Sequence, residues 1–224
     1  MLKFYTVILS ILMIDGALLT FLAFAYHSKR FEGYRISMKE SMKVPGVERL
    51  TNIAFIAVLS LIAVAGMTFA IYKYAFYDHA SSVGRIVFEI LAILLVYDFA
   101  YYWLHRAMHT TRGMRWVHGR HHEVRNPTAM ESFYLTPYEL FAGLGLLCAC
   151  TWLLGPVSIY SFAVVFFIHT TLNIAVHSGL LSKQLLLWPV DHLTHKHYKH
   201  HAGNYDSNFA SLTPFWDMLF GTAK

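Results

Sequence analysis

Eight of the fourteen histidines in the chain fall into three short motifs whose spacing is typical of metal ligands. The first motif reads HxxxH, and the two later ones both read HxxHH. Because positions i, i+3 and i+4 lie on one face of a helix, each motif can direct two or three imidazoles towards one point, as HExxH does in zinc proteases. The motif histidines are His105, His109, His118, His121, His122, His197, His200 and His201.

Eight imidazoles on three helical faces are more than a single tetrahedral ion can use. Two ions with higher coordination numbers fit the pattern better, and nitrogen ligands suit iron. A histidine tag would be terminal and unbroken, whereas these motifs are spread along the chain beside apolar segments. Heme would use only one or two of the histidines, and His122-Glu123 lacks the second histidine of HExxH. The pattern therefore predicts a di-metal centre.

The elements that must position these histidines are apolar enough to lie in a membrane. Of the 224 residues, 56% are hydrophobic and 14% are charged, and the mean hydropathy is +0.44. A helix needs about 20 apolar residues to cross a bilayer. Four long apolar runs cover residues 4–26, 51–72, 86–104 and 157–176, and a shorter run covers residues 140–154. We therefore predict an all-α integral membrane protein with four to five transmembrane helices.

The first apolar run could also be a signal peptide, since Lys3 precedes it and Ala23-Phe-Ala25 resembles a cleavage site. Its length and the charged Asp15 in its middle favour a helix that is retained. Cys148 and Cys150 lie within an apolar run and are interpreted as packing residues. The net charge of +5 comes from basic residues between the apolar runs, which indicates membrane orientation and no nucleic-acid partner.

Lysine and arginine accumulate in loops that face the cytoplasm. Residues 105–137 contain five of them and residues 178–224 contain four, whereas residues 73–85 contain only two. Residues 27–50 contain six, namely Lys29, Arg30, Arg35, Lys39, Lys43 and Arg49. This alternation predicts that the N-terminus lies outside and that every histidine motif, and with it the active site, faces the cytoplasm.

Several short segments that contain the histidine motifs or lie near them carry further characteristic residues. They are residues 97–106 (YDFAYYWLHR), 118–122 (HGRHH), 126–128 (NPT), 177–179 (HSG), 197–201 (HYKHH), 204–205 (NY) and 215–222 (FWDMLFGT). In this order and combination they resemble the fatty acid hydroxylase/sterol desaturase superfamily, whose members are membrane histidine-cluster di-iron oxygenases. We therefore interpret residues 1–224 as a single membrane domain, with N-terminal membrane helices over residues 1–96 and a hydroxylase-like catalytic region over residues 97–222.

The resemblance implies a cytosolic, helical di-metal histidine site that caps the membrane helices. It implies a non-heme di-iron oxidoreductase that uses dioxygen and two electrons to hydroxylate or desaturate a C–H bond of a fatty acyl, sterol or related lipid. The two iron ions, which zinc can replace during purification, would be held by the eight motif histidines and by His177.

The electron donor is expected to be a separate protein, because the chain contains no nucleotide or flavin motif of the G-x-G-x-x-G type. The candidates are a ferredoxin, a rubredoxin and a cytochrome b5-like protein. The alternative function that stays open is a membrane metal transporter or metal-binding protein. Transporters place their ligands near the middle of the bilayer, whereas most of these histidines lie outside the apolar runs.

Further polar residues near the motifs have more than one candidate role. His169, Asn173 and His177 follow one another at four-residue steps, along one side of a helix. His177 is assigned as a ligand, whereas His169 and Asn173 are assigned to either a metal or the substrate channel, since polar groups at membrane depth usually serve a function. His195 has the same two candidate roles, and His192 flanks the last motif on the same side.

Three further polar residues are candidates for orienting the ligands. Asp98 lies seven residues before His105, on the same side of a helix. It is expected to accept a hydrogen bond from the N–H of a ligating histidine, as carboxylates often do near metals, or alternatively from a neighbouring helix. Asn204 and Asp217 are assigned the same role for the last motif.

Overall fold

The computed structural model describes residues 1–38 and 45–224, and most of this part of the chain is helical. Its α-helices are α1 (Leu2–His27), α2 (Gly46–Ala75), α3 (Val83–Met108), α4 (Thr111–Gly113), α5 (Pro137–Leu154), α6 (Ile159–Val176), α7 (Trp188–His201) and α8 (Phe215–Leu219). Short 3-10 or π-helical segments are Lys29–Tyr34, Met114–His118, His121–Glu123, Ala129–Phe133 and Leu185–Leu187. The described strands are only β1 (Phe76–Tyr77) and β2 (Val157–Ser158), so the all-α prediction is confirmed.

Four helices, α1, α2, α5 and α6, are long and apolar enough to span a membrane. This confirms an integral membrane protein within the predicted range of four to five spans. The helix α3 has 26 residues, as many as α1, but it is not among the four. It carries Arg85, Glu89, Asp98 and Arg106, which interrupt its apolar character. The run 86–104 nevertheless forms one continuous helix, which leads from β1 to the first histidine motif.

The bundle is held together by close packing of apolar side chains. The helix α1 packs against α6, α2 packs against α5, and α3 lies against both α5 and α6. Phe4 lies 5.0 Å from Phe76 and Phe76 lies 4.9 Å from Phe162 between ring centroids, and all three side chains are buried. Since lipid tails are as apolar as these rings, van der Waals packing rather than water exclusion favours such contacts in a membrane. Cys148 and Cys150 are buried and unpaired in this core.

One end of the bundle, here called the hairpin end, is closed by β1 and β2. The two strands pair in parallel, which brings the α2–α3 connection against the α5–α6 connection. The Glu89 carboxylate of α3 ties the same elements together. It accepts hydrogen bonds from Arg85 Nε at 2.9 Å, the Tyr77 hydroxyl at 2.8 Å, the Ser158 N–H at 2.9 Å and the Ser161 hydroxyl at 2.7 Å.

The opposite end, here called the histidine end, joins the segments that the sequence assigned to one side of the membrane. The Ile36 N–H donates to the Gly179 carbonyl at 2.9 Å, and the Leu181 N–H donates to the Tyr34 carbonyl at 2.8 Å. The connection after α1 therefore meets the segment after α6, as the alternation of basic loops predicts. Two of the basic residues counted there, Lys39 and Lys43, lie outside the described residues.

Replacing Glu89 by alanine should destabilise the protein, because the buried donors of Ser158 and Ser161 would lose their hydrogen-bond acceptor. We expect a loss of about 2–4 kcal/mol in the free energy of unfolding, measured as thermal unfolding of the purified protein in detergent. The matched control is Glu48→Ala. That carboxylate is 54% exposed and lies 3.8 Å from Arg120, so its removal should cost less than about 0.5 kcal/mol. Equal losses in the two variants would contradict this account.

Candidate metal centre

Nine histidines meet at the histidine end of the bundle in two groups. Within each group, one ring nitrogen of every member lies within 4.8 Å of the others. The first group consists of His105, His109, His118, His122 and His200, and the second group consists of His121, His177, His197 and His201. These are the nine residues that the sequence analysis assigned as ligands, and the structure brings all of them together.

Each HxxHH motif is divided between the two groups. His118 and His122 belong to the first group, whereas His121 between them belongs to the second. The last motif is divided in the opposite sense, because His197 and His201 belong to the second group and His200 to the first. Each HxxHH motif therefore directs two of its imidazoles to one group, within the expected two or three, and its third imidazole to the other group. The pair at i and i+4 shares a group, and the residue at i+3 contributes to the other group.

The local backbone differs between the two HxxHH motifs. The last motif lies on the regular helix α7, whereas the earlier one follows the π-helical segment Met114–His118 and ends in the 3-10 segment His121–Glu123. Gly119 permits this path, because a Cβ at that position would lie only 2.1 Å from the Met114 carbonyl oxygen. Single π-helical turns often occur at functional sites, and here the turn brings His118 beside the end of α3.

Six of the nine histidines use Nδ1 for a hydrogen bond that points away from the site. The pairs are His105 with the Phe209 carbonyl at 2.8 Å, His121 with the Tyr134 carbonyl at 3.2 Å, His177 with the Asn173 carbonyl at 2.6 Å, His200 with the Ser207 carbonyl at 2.7 Å, His201 with the Val124 carbonyl at 3.0 Å, and His118 with Glu139 Oε1 at 2.8 Å. Since a main-chain carbonyl oxygen can only accept, Nδ1 carries the proton in the five rings that bond to a carbonyl, and Nε2 of these rings has a bare lone pair.

The Nε2 atoms within each group face one another at short distances. In the first group, His118 Nε2 lies 3.0 Å from that of His105 and 2.9 Å from that of His122. In the second group, His177 Nε2 lies 3.1 Å from that of His121 and 2.8 Å from that of His197. Two lone pairs repel at such distances unless a proton or a cation lies between them.

Burial argues against an additional proton on these rings, because it disfavours the charged imidazolium. Desolvation lowers the pKa of His200 to about 3 and that of His177 to about 4, and it lowers the pKa of His118 and His121 well below the usual range. The imidazoles are therefore neutral at physiological pH, which is the form that binds metals. Two nitrogens bound at about 2.1 Å and at right angles would lie about 3.0 Å apart. The observed spacing fits a metal ion in each group.

A cavity of about 400 Å³ extends from the histidines into the bundle. Its wall includes histidines of both groups, such as His105 and His177, and apolar side chains of the four candidate spans. His169 and Asn173 lie in this wall, and neither belongs to a histidine group. The ring of Tyr101 also lines the cavity, with its centroid 5.4 Å from that of His105. The cavity therefore connects the candidate metal centre with the apolar interior.

Asp98 does not bond to a histidine among the described residues, so the expectation of direct contact is wrong. Its carboxylate accepts from the Ser211 N–H at 3.2 Å, the Leu212 N–H at 2.7 Å and the Thr213 hydroxyl at 2.7 Å. This segment directly follows Phe209, whose carbonyl accepts from His105. Asp98 therefore acts on the site through the main chain, which the spacing to His105 could not reveal.

Asp217 supports the same segment from the other side. It accepts from the Phe209 N–H at 2.7 Å and the Ala210 N–H at 3.0 Å, and it pairs with the buried Lys196 at 2.8 Å. Like Asp98, it contacts no histidine among the described residues, contrary to its assigned role. The Asn204 carbonyl accepts from the Ser207 N–H at 3.1 Å and so shapes the turn that presents the Ser207 carbonyl to the last motif.

The remaining candidates lie outside the two groups. His195 and His192 are exposed on α7, and the ring of His192 stacks on Trp188 at 5.6 Å. Sequence reasoning missed Glu139, which holds His118 and has one buried oxygen without a described partner. The signal that could have drawn attention to it is Thr136-Pro-Tyr-Glu139, a helix-start pattern whose Thr136 accepts from the Glu139 N–H at 3.2 Å.

The comparisons with known proteins agree with this geometry. Residues 90–222 match the profile of the fatty acid hydroxylase family. Methylsterol monooxygenase 1-3 of Arabidopsis thaliana is 30% identical over 155 residues, which cover 64% of this chain and 50% of that protein. The cholesterol 25-hydroxylase-like protein of Caenorhabditis elegans is 28% identical over 143 residues, or 63% of this chain and 45% of that protein.

A third relative is the very-long-chain aldehyde decarbonylase GL1-10 of Oryza sativa subsp. japonica, which is 29% identical over 153 residues, or 64% of this chain and 48% of that protein. The chain thus spans about half the length of these relatives. No solved structure matches it. The matched segment covers more than half of the chain and contains all nine histidines of the two groups. The chain therefore belongs to the fatty acid hydroxylase family.

Proposed function

We propose that the protein is a non-heme di-iron oxygenase that uses dioxygen to hydroxylate or desaturate a C–H bond of a membrane lipid. The observation that carries this proposal is the pair of histidine groups, with bare and mutually facing Nε2 atoms, at the mouth of an apolar cavity. The relatives described above are named for reactions of sterols or long-chain aldehydes. These names support a fatty acyl, sterol or related lipid as the substrate.

The donor set suits two iron ions. The first group would hold one ion with five imidazoles, and the second group would hold the other with four. Iron accepts nitrogen ligands and a coordination number above four, so positions for small molecules would remain at both ions. Two bound iron ions would supply the oxidation of an unactivated C–H bond at the expense of dioxygen and two electrons.

The chain itself positions the ligands and the lipid. The five main-chain carbonyls hold the protons on Nδ1 of their rings, so that each of those Nε2 atoms stays available to a metal. The apolar cavity wall excludes water and aligns a hydrocarbon chain with the histidines. Because α1 and α2 supply part of this wall, residues 1–96 are proposed to form one functional domain with residues 97–222.

The proposal implies two partners, a lipid and an electron donor. Two electrons must enter from outside, because the chain contains no flavin or nucleotide motif. We propose a ferredoxin, rubredoxin or cytochrome b5-like protein as the donor. A membrane metal transporter or metal-binding protein is the competing function. It would bind iron without consuming oxygen, which makes the two functions separable by experiment.

Loss of a ligand from either group should abolish turnover. We expect His105→Ala and His121→Ala each to lower lipid-dependent and reductant-dependent oxygen consumption at least about 100-fold. The purified protein would be assayed with host lipids, ferredoxin and ferredoxin reductase. His192→Ala is the matched control, since that exposed ring stacks only on Trp188 among the described contacts. Full activity in both ligand variants would contradict the proposal, and bound iron without any oxygen consumption would favour a metal-binding protein.

Replacement of His169, which lies on α6, and of His177, which directly follows α6, should affect the bound metal differently. His177 belongs to the second group, whereas His169 lies in the cavity wall. We expect His177→Ala to lower the iron content by up to about half, because one of two sites loses a ligand. We expect His169→Ala to leave the iron content unchanged and to alter substrate use. Metal analysis of the two purified variants tests this, and the opposite result would exchange their roles.

We propose that the histidine end faces the cytoplasm, because the basic loops meet there. A reporter enzyme that is active only in the cytoplasm, fused after Lys224, should therefore be active. The same reporter placed between Asp78 and His79, in the connection at the hairpin end, should be inactive. An inactive reporter after Lys224 together with an active reporter between Asp78 and His79 would show the opposite orientation.

A further inference from the structure

Four polar atoms of the cavity wall have no hydrogen-bond partner among the described residues. One is Glu139 Oε2, whose companion oxygen bonds to His118 of the first histidine group. The other three are Asp15 Oδ2 on α1, the Tyr97 hydroxyl on α3 and His169 Nδ1 on α6. Two other hydroxyl groups of the wall differ, because Ser60 and Thr170 donate to carbonyl oxygens of their own helices at 2.8 Å. An unpaired polar atom inside a membrane bundle is costly, and such groups usually serve a function.

Asp15 is held in place by one of its two oxygens. Oδ1 accepts a hydrogen bond from the Thr171 hydroxyl of α6 at 2.8 Å. The residue is only 5% exposed although it lies in the middle of α1. This contact fixes the carboxyl group at the cavity wall and leaves its second, buried oxygen without a described donor.

Tyr97 and His169 fix each other's rings. Their centroids are 5.0 Å apart in an edge-to-face arrangement, and Tyr97 is fully buried. Neither the Tyr97 hydroxyl nor His169 Nδ1 has a hydrogen-bond partner among the described residues. The aromatic packing therefore holds both polar atoms in place while each remains able to bond to a ligand.

The depth of these groups can be estimated along α6. Thr171, which contacts Asp15, precedes His177 by six residues, and His169 precedes it by eight. At 1.5 Å per residue these separations correspond to about 9 and about 12 Å. The polar atoms thus lie about 10 Å from the level of His177, on the side of the hairpin end.

We propose that Asp15, Tyr97 and His169 form a polar subsite that binds a hydroxyl group of the lipid. A hydroxyl can donate to a carboxylate oxygen and accept from a tyrosine, whereas a ketone can only accept and a hydrocarbon can do neither. The substrate class is therefore an alcohol whose hydroxyl is separated from the reacting carbon by about 10 Å of apolar structure. The assignment of a reacting carbon rests on the proposed function, whereas the subsite is inferred from the cavity wall alone.

The test is equilibrium binding of tritiated 1-hexadecanol and tritiated hexadecane to the purified, iron-loaded protein in detergent. Omitting the reductant prevents turnover, so binding is read independently of oxygenase activity. We expect the wild-type protein to prefer the alcohol by about 10-fold or more, which corresponds to one or two net hydrogen bonds. Tyr97→Phe removes a single oxygen atom and should reduce this preference several-fold, and Asp15→Leu should reduce it further.

The matched control is Thr170→Val, because that hydroxyl lines the cavity but already bonds to the Phe166 carbonyl. It should leave the preference for the alcohol unchanged. Equal binding of the two probes by the wild-type protein would overturn the proposal, and so would a preference that Tyr97→Phe leaves intact. If the preference is found but no lipid is ever oxidised, the subsite stands and the proposed oxygenase function fails.

Discussion

The rest of the structure depends on the mutual repulsion of the imidazole nitrogens that face inward at the histidine end. Main-chain carbonyls fix the proton of five rings on the outer nitrogen, so the inner nitrogens of these rings face the site with lone pairs. Such an arrangement has a low free energy only with cations inside. The long helices, the connecting turns and the buried carboxylates are arranged to hold these rings against that repulsion.

Two buried carboxylates illustrate how this support is built. Asp217 accepts hydrogen bonds from the main chain at Phe209, and Asp98 accepts them from Leu212 and from the Thr213 hydroxyl. Together they immobilise the segment that begins at Phe209, whose carbonyl accepts from His105. Lys196 compensates part of the buried charge by pairing with Asp217. Because buried charges are costly unless they are paired and hydrogen-bonded, this dense set of contacts keeps both carboxylates stable close to the candidate metals.

The membrane helices were predictable from the length of the apolar runs, and eight of the nine candidate ligands from the helical spacing of their motifs. The ninth, His177, was assigned through the resemblance to the family. The division of each HxxHH motif was not predictable, since it depends on the π-helical turn before His118 and on which side of α7 faces each group. The role of Asp98 was also missed. Spacing along one helix indicates which residues share a face, but it does not reveal that a distant main-chain segment occupies the space between them.

The hairpin end has a consequence for where along a lipid the oxidation would occur. The buried rings of Phe4, Phe76 and Phe162, together with the hydrogen bonds of Glu89, close the hairpin end with packed side chains, here called the floor. Phe162 lies one helical turn below Phe166 of the cavity wall. For a lipid that fills the cavity, the distance from the floor to the histidines then determines which carbon atom, counted from the buried end of the lipid, lies beside the histidines. If the protein oxidises lipids as proposed, regioselectivity would thus depend on the height of this floor as well as on the polar subsite, and larger or smaller side chains in the floor would shift the oxidised position.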